Sequence, residues 1–167
     1  MSKQAIQKVL LGRFVDFTGL TIDQKGFENS KDAIVPASPN GVWAEFYIIY
    51  GLRKVASIGD EPCTRRTGVA TIEVHVRKDK GVQTINAITD SLEDWFSFYE
   101  AENLWLDAAR TVNDRLGKDS YQATVYVPFT YDYTPPSIFQ KTVIELSPLL
   151  EKLVNEDLPD ALGSLNA

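Results

Sequence analysis

The sequence predicts an α+β fold: an antiparallel four-stranded sheet with a long β-hairpin, packed against two helices. The predicted order is α-β-β-α-β-β plus a C-terminal helix. Three observations carry this. VWAEFYIIY at 42–50 is β-branched and aromatic almost throughout. GVATIEVHV at 68–76 alternates with period two, and VQTINAITDSLEDWFSFY at 82–99 repeats apolar residues at helical spacing. The chain has 167 residues, 44% of them hydrophobic, enough for one domain with its own core.

The first helix is predicted over 3–17, where Ile6, Val9, Leu10, Phe14 and Phe17 share a face, with Ser2 as N-cap and Gly19 as stop. Residues 19–41, with three glycines and two prolines, read as a loop, and Pro39-Asn40-Gly41 as a turn. The strand at 42–50 is apolar on both sides, so it is covered on both faces or packed against a neighbouring subunit. Residues 51–66 are polar, with Gly51, Gly59 and Pro62, and read as the extended tip of a hairpin. In the next strand Ala70, Ile72, Val74 and Val76 face one way, and Val69, Thr71, Glu73 and His75 the other.

Lys78-Asp79-Lys80-Gly81 ends that strand. The second helix follows, presenting Ile85, Ile88, Leu92, Trp95, Phe96 and Tyr99. ENLWLDAARTV at 102–112 reads as a third strand and SYQATVYVPFTYDY at 120–133 as a fourth, with Pro128 marking an edge or a bend. The domain is predicted over 1–133. From Pro135-Pro136 onward, 134–167 reads as an extension with one helix, capped by Ser147 with Pro148 at its first position. It packs on its own domain or reaches a neighbouring subunit.

Composition removes several function classes. A net charge of -6 argues against general affinity for nucleic acid, which relies on basic faces. One cysteine and one histidine exclude an internal disulfide, a Cys-based zinc site and a His-pair metal site. No apolar run approaches the ~20 residues that span a bilayer, and no signal-peptide pattern opens the chain, so a soluble protein folding in a reducing cytoplasm is expected. No phosphate-cradling glycine loop or GxSxG elbow occurs. His75 reads as a surface or interface side chain. Cys63 reads as a loop cysteine, although Arg65 and Arg66 nearby are of the kind that lowers a thiol pKa. Glu93-Asp94 and Asp157 sit at solvated helix positions. The expectation is a protein that is not an enzyme and holds no cofactor and no metal. A small enzyme with a novel site, or a ligand-binding module, is the rival class.

VPASPNGVWAEFYI leads into a tryptophan-bearing strand, RRTGVATIEVHV enters an alternating strand, GVQTINAITDSLEDWF starts a helix on glycine, and YVPFTYD closes the last strand. In this order and spacing, over roughly residues 1–133, the chain resembles the tail terminators of tailed bacteriophages. It departs from their pattern at 99–118, which lacks a glycine-proline signature, and in the length of 134–167. The resemblance implies a virion protein of the tail and neck that assembles in the host cytoplasm. It implies a ring, hexameric in number, that docks on the last tube ring, ends polymerisation and offers a face to the head–tail connector. Genomic DNA passes through the lumen without specific binding, which an acidic protein suits, and no membrane is involved. A head-completion or joining protein of the neck and a tube subunit are the alternatives. Under this reading Arg53, Lys54, Arg65 and Arg66 form a basic hairpin tip that grips an acidic patch of the tube protein or, equally, are solvated loop ends. Trp43, Phe46, Tyr47 and Ile49 belong to the strand shared between core and ring.

Overall fold

The computed structural model describes residues 3–28, 41–58, 62–77, 81–114 and 120–134. Helix α1 (Lys3–Asp16) is followed by a short 3-10 turn (Ile22–Gln24) and strand β1 (Lys25–Phe27). Strands β2 (Val42–Ser57) and β3 (Cys63–Arg77) precede helix α2 (Val82–Phe96). Short strands β4 (Glu100–Ala101), β5 (Leu104–Leu106) and β6 (Arg110–Asp114) lead to the long β7 (Ser120–Tyr133).

These strands form one mixed, curled sheet of seven, a half-barrel, in the order β1-β2-β3-β7-β5-β4, with β6 also on β7. The expected antiparallel four-stranded sheet packed on two helices is therefore incorrect. Three local features account for the difference. Lys25–Phe27, read as loop, pairs parallel with Ala44–Phe46 and makes the sheet mixed. Residues 102–112 do not form one strand. β5 pairs with β7 at Phe129–Tyr131 and β6 pairs with it at Gln122–Tyr126, with Asp107–Ala109 between them. Finally, the two hairpin strands run on through most of the predicted loop. The predicted C-terminal helix and the Ser2 cap lie outside the described residues.

Strands of 16, 15 and 14 residues are more than twice the usual length of about 5–6, and they form the backbone of the molecule. β3 sits between β2 and β7, in unbroken register with β7 from Thr64↔Tyr133 to Arg77↔Ser120. Its even-numbered residues Ala70, Ile72, Val74 and Val76 are fully buried and meet Val127, Val125, Ala123 and Tyr121 on the same face. Both helices contribute to this core, α1 through Ile6, Leu10 and Phe14, α2 through Ile85, Leu92 and Phe96. The Phe14 ring stacks on Phe46 with centroids 5.2 Å apart.

Helix α1 ends at Asp16, before the predicted Gly19. Its C-terminal carbonyls are instead met by a lysine from β1. Lys25 is 5% exposed, and its Nζ donates to the carbonyls of Val15 (2.7 Å) and Phe17 (2.6 Å). A buried cation here complements the negative end of the helix dipole. Burial nonetheless pulls its pKa down, against the opposing pull of Asp16. Arg13, in the same last turn of α1, clamps the helix to α2. Its guanidinium lies 4.2 Å from the Trp95 ring and 3.8 Å from Tyr99, and Trp95 Nε1 returns a hydrogen bond to the Arg13 carbonyl.

Pro128, expected at an edge or a bend, lies in an interior strand, and β7 keeps its register with β3 through it. Its carbonyl accepts from the Asp107 N–H at 3.0 Å, so its missing N–H falls on the same side, where the partner changes from β6 to β5. The proline occupies the one stretch of β7 whose neighbour has no ladder to offer.

Candidate functional site

Strands β2 and β3 pair from Val42↔Val76 outward to Ser57↔Cys63. β1 covers the free edge of β2 only as far as Phe46. Among the described residues, β2 beyond that point has a partner on one side alone. The outer part of this hairpin, 51–57 with 63–67, forms an arm at one edge of the sheet. Every side chain from Gly51 to Ile58 is exposed, and Leu52 (72%), Val55 (65%) and Ile58 (94%) are large apolar groups left in water. Ile49 is 54% exposed at the arm's base.

The reading of 51–66 as a loop is thus corrected. Gly51 and the run of charges do not stop the strand, because an edge strand in water needs no apolar alternation. Two one-residue bulges absorb the irregularity, between Tyr50 and Arg53 and between Val55 and Ser57. At the inner boundary, Gly68 is required by close approach. A Cβ there would lie 2.7 Å from the Ile49 carbonyl oxygen and 2.4 Å from the Phe129 ring.

The four basic residues come together, in directly opposed pairs: Arg53 with Arg66 and Lys54 with Arg65. Like charges opposite one another oppose pairing, so the arrangement calls for anions. One is supplied internally. Arg65 makes two parallel bonds to Asp132, Nε to Oδ1 and Nη2 to Oδ2, both 2.7 Å. This hydrogen bond holds the Asp132 carboxyl below its usual range and raises the Arg65 pKa. Arg66 lies 5.9 Å from the Tyr50 ring centre, and Arg53 donates to Thr64 Oγ1 from Nε and Nη2. Arg65–Asp132 is the one ion pair of the arm among the described residues. The arm therefore displays more positive charge than it neutralises, beside exposed aliphatic side chains. Cys63 closes the β3 side of the arm, half-buried, with Sγ 4.0 Å from the Thr64 carbonyl.

The predicted strand residues divide. Phe46 is core. Trp43 points to the opposite, outer face, yet is 6% exposed and stacks on His75 with centroids 5.0 Å apart and planes 6° from parallel. Tyr47, also outward, donates its hydroxyl to Glu73 Oε1 at 2.6 Å. Ile49 alone of the four is exposed. His75, expected at a surface or interface, is half-buried. Burial against Trp43 pushes its pKa down, outweighing Glu45 and Glu73, and its Nε2 has no hydrogen-bond partner.

Sequence reading missed Asp132 and the apolar members of the arm. Asp132 is visible as an outward position of an alternating strand, but only the β3–β7 register brings it to Arg65. Among the described residues, no three His, Cys, Asp or Glu side chains are grouped to hold a metal, and no helix is long and apolar enough to cross a membrane.

No protein-family model and no curated protein matches the chain. Nine chains of solved structures do. One of them, whose name states no activity, is 14% identical with a TM-score of 0.60, over 81% of this chain and 99% of its own. At that identity the likeness is one of fold alone, extending over nearly all of that protein and about four-fifths of this one.

Proposed function

We propose that the protein is a structural component of a phage tail that caps the tail tube as a ring, hexameric in number. It ends tube polymerisation and presents the opposite face of the ring for joining to the head. The observation that carries this reading is the arm. A 16-residue strand paired with a 15-residue strand runs past its core, and its outer half places Leu52, Val55, Ile58, Arg53 and Lys54 in water. Such a surface contributes nothing to an isolated subunit, and it fits a chain whose work is contact with other proteins. Arginines aligned in pairs suit the carboxylates of a protein partner. The charge balance fits a lumen that DNA traverses without adhering.

Deleting the gene from a tailed phage and imaging the particles tests this. Over-long tails lacking heads are expected. Tails of normal length beside unsealed heads would assign the protein to the head side of the neck instead. Long tubes assembled by the purified protein alone would make it a tube subunit.

A further inference from the structure

The arm has a counterpart in the acidic surface formed by α2, which packs over β7 and β3, together with β4 at the opposite edge of the sheet. Residues 82–109 contain Asp90, Glu93, Asp94, Glu100, Glu102 and Asp107 and no lysine or arginine. All but the half-buried Glu93 are exposed. In their midst Phe98 is 79% exposed and held at φ 57 in the turn after α2. The arm segments 51–57 and 63–67 contain Arg53, Lys54, Arg65 and Arg66 and no acidic residue. The acidic edge is bordered by Lys8 and Arg13 on the α1 side, beside Tyr99 and Glu102, and by the exposed Arg110 at the start of β6.

Pairing puts these two edges at the same height. One row of partners crosses the sheet as Arg53↔Arg66, Arg66↔Tyr131, Tyr131↔Leu104 and Leu104↔Ala101. It runs from the unpaired side of β2 to β4, four strand spacings or about 19 Å along the sheet. One end is basic with exposed aliphatic groups. The other is acidic with an exposed aromatic ring.

The geometry points to a second copy of this chain as the arm's partner, the basic β2 edge of one copy docking on the acidic α2–β4 edge of the next. Two different surfaces on opposite edges make a heterologous contact, which closes into a ring when the rotation between neighbours allows it. Charge complementarity sets the register, and Leu52, Val55 and Phe98 supply apolar surface to bury. This deepens the ring reading above and rests on it for biological meaning, but not for its physical basis.

Sedimentation velocity on the full chain at low salt tests it. The unaltered chain is expected to associate with rising concentration and to dissociate as salt rises. R53E with K54E, or D94K with E100K, should each weaken association at least about tenfold, since each reversal sets like charges together. Combining all four restores opposite charge between the altered positions of the two edges and should recover part of the association, an outcome that misfolding cannot produce. A parent that stays monomeric at every concentration, single-edge variants that associate normally, or a combined variant that fails to recover would each overturn the inference. Loss of binding to tail tubes in R53E/K54E with self-association intact would overturn it too, by assigning the arm to the tube. Edge-dependent association in a protein that does not cap tubes would instead sink only the functional reading.

Discussion

The two halves of the β2–β3 hairpin share one ladder, interrupted by a bulge at their junction, and differ in almost everything else. In the inner half, Ala44 and Phe46 oppose Val74 and Ile72, and all four are buried. In the outer half, Arg53 and Lys54 oppose Arg66 and Arg65, and every β2 side chain is exposed. The inner half is held by the helices beneath it, the outer half by its ladder and by β7 along β3 only. A strand pair can thus be stabilised at one end and spend the other on contacts outside the subunit.

The contrast is broken most severely from the inner side. Phe46→Ala removes a ring that is 3% exposed and stacked on Phe14, and should cost about 3–5 kcal/mol in denaturant-unfolding measurements. At the junction, Gly68→Ala should cost about 1–3 kcal/mol, because the new methyl meets the Ile49 backbone as well as a movable ring. A stability unchanged by this variant would mean that the two halves are not locked at that point.

Smaller effects sharpen the comparison in the outer half. The Asp132 carboxyl titrates lower in the folded chain than in the unfolded one. Its contribution is therefore present above the unfolded carboxylate range near pH 4 and fades as the pH falls through the depressed value. Asp132→Asn should flatten that part of the acid-unfolding curve and lower neutral-pH stability by the same amount, which is small because the pair is exposed on the arginine side. Leu52→Ser and Val55→Ser should shift stability by no more than about 0.5 kcal/mol while weakening self-association in the ultracentrifuge. A large loss of stability from either would show that the arm belongs to the fold after all.

What was legible in the sequence follows the same division. Apolar periodicity located α1, α2 and the buried face of β3, because Leu10, Ile72 and Leu92 are where they are for reasons of burial alone, whereas β2 is legible from composition, which does not tell its two faces apart. It failed where burial does not select residues. The arm was read as loop since nothing apolar alternates in GLRKVAS, and the parallel pairing of Lys25–Phe27 is too short to leave a pattern. The gathering of four cations into opposed pairs, and the Asp132 contact, depend on register, which one strand's sequence does not contain. Lys25 shows the same limit: a buried lysine is intelligible only once the end of α1 is seen above it.

The two bulges absorb two residues of β2 that β3 does not match. β3 keeps one parity along its length, odd residues outward. β2 does not: Tyr47 opposes Thr71 and faces outward as an odd residue, Lys54 opposes Arg65 and does so as an even one, and at Ser57 the odd phase returns. Losing a single codon at 51 or 52 would erase the first bulge and still leave Arg53 opposite Arg66 and Lys54 opposite Arg65, because the bulge holds the one residue that β3 does not match. For this segment, loss of a bulge residue is thus a milder change than reversal of a charge, and relatives one residue shorter there would still present the same opposed basic pairs to a neighbour.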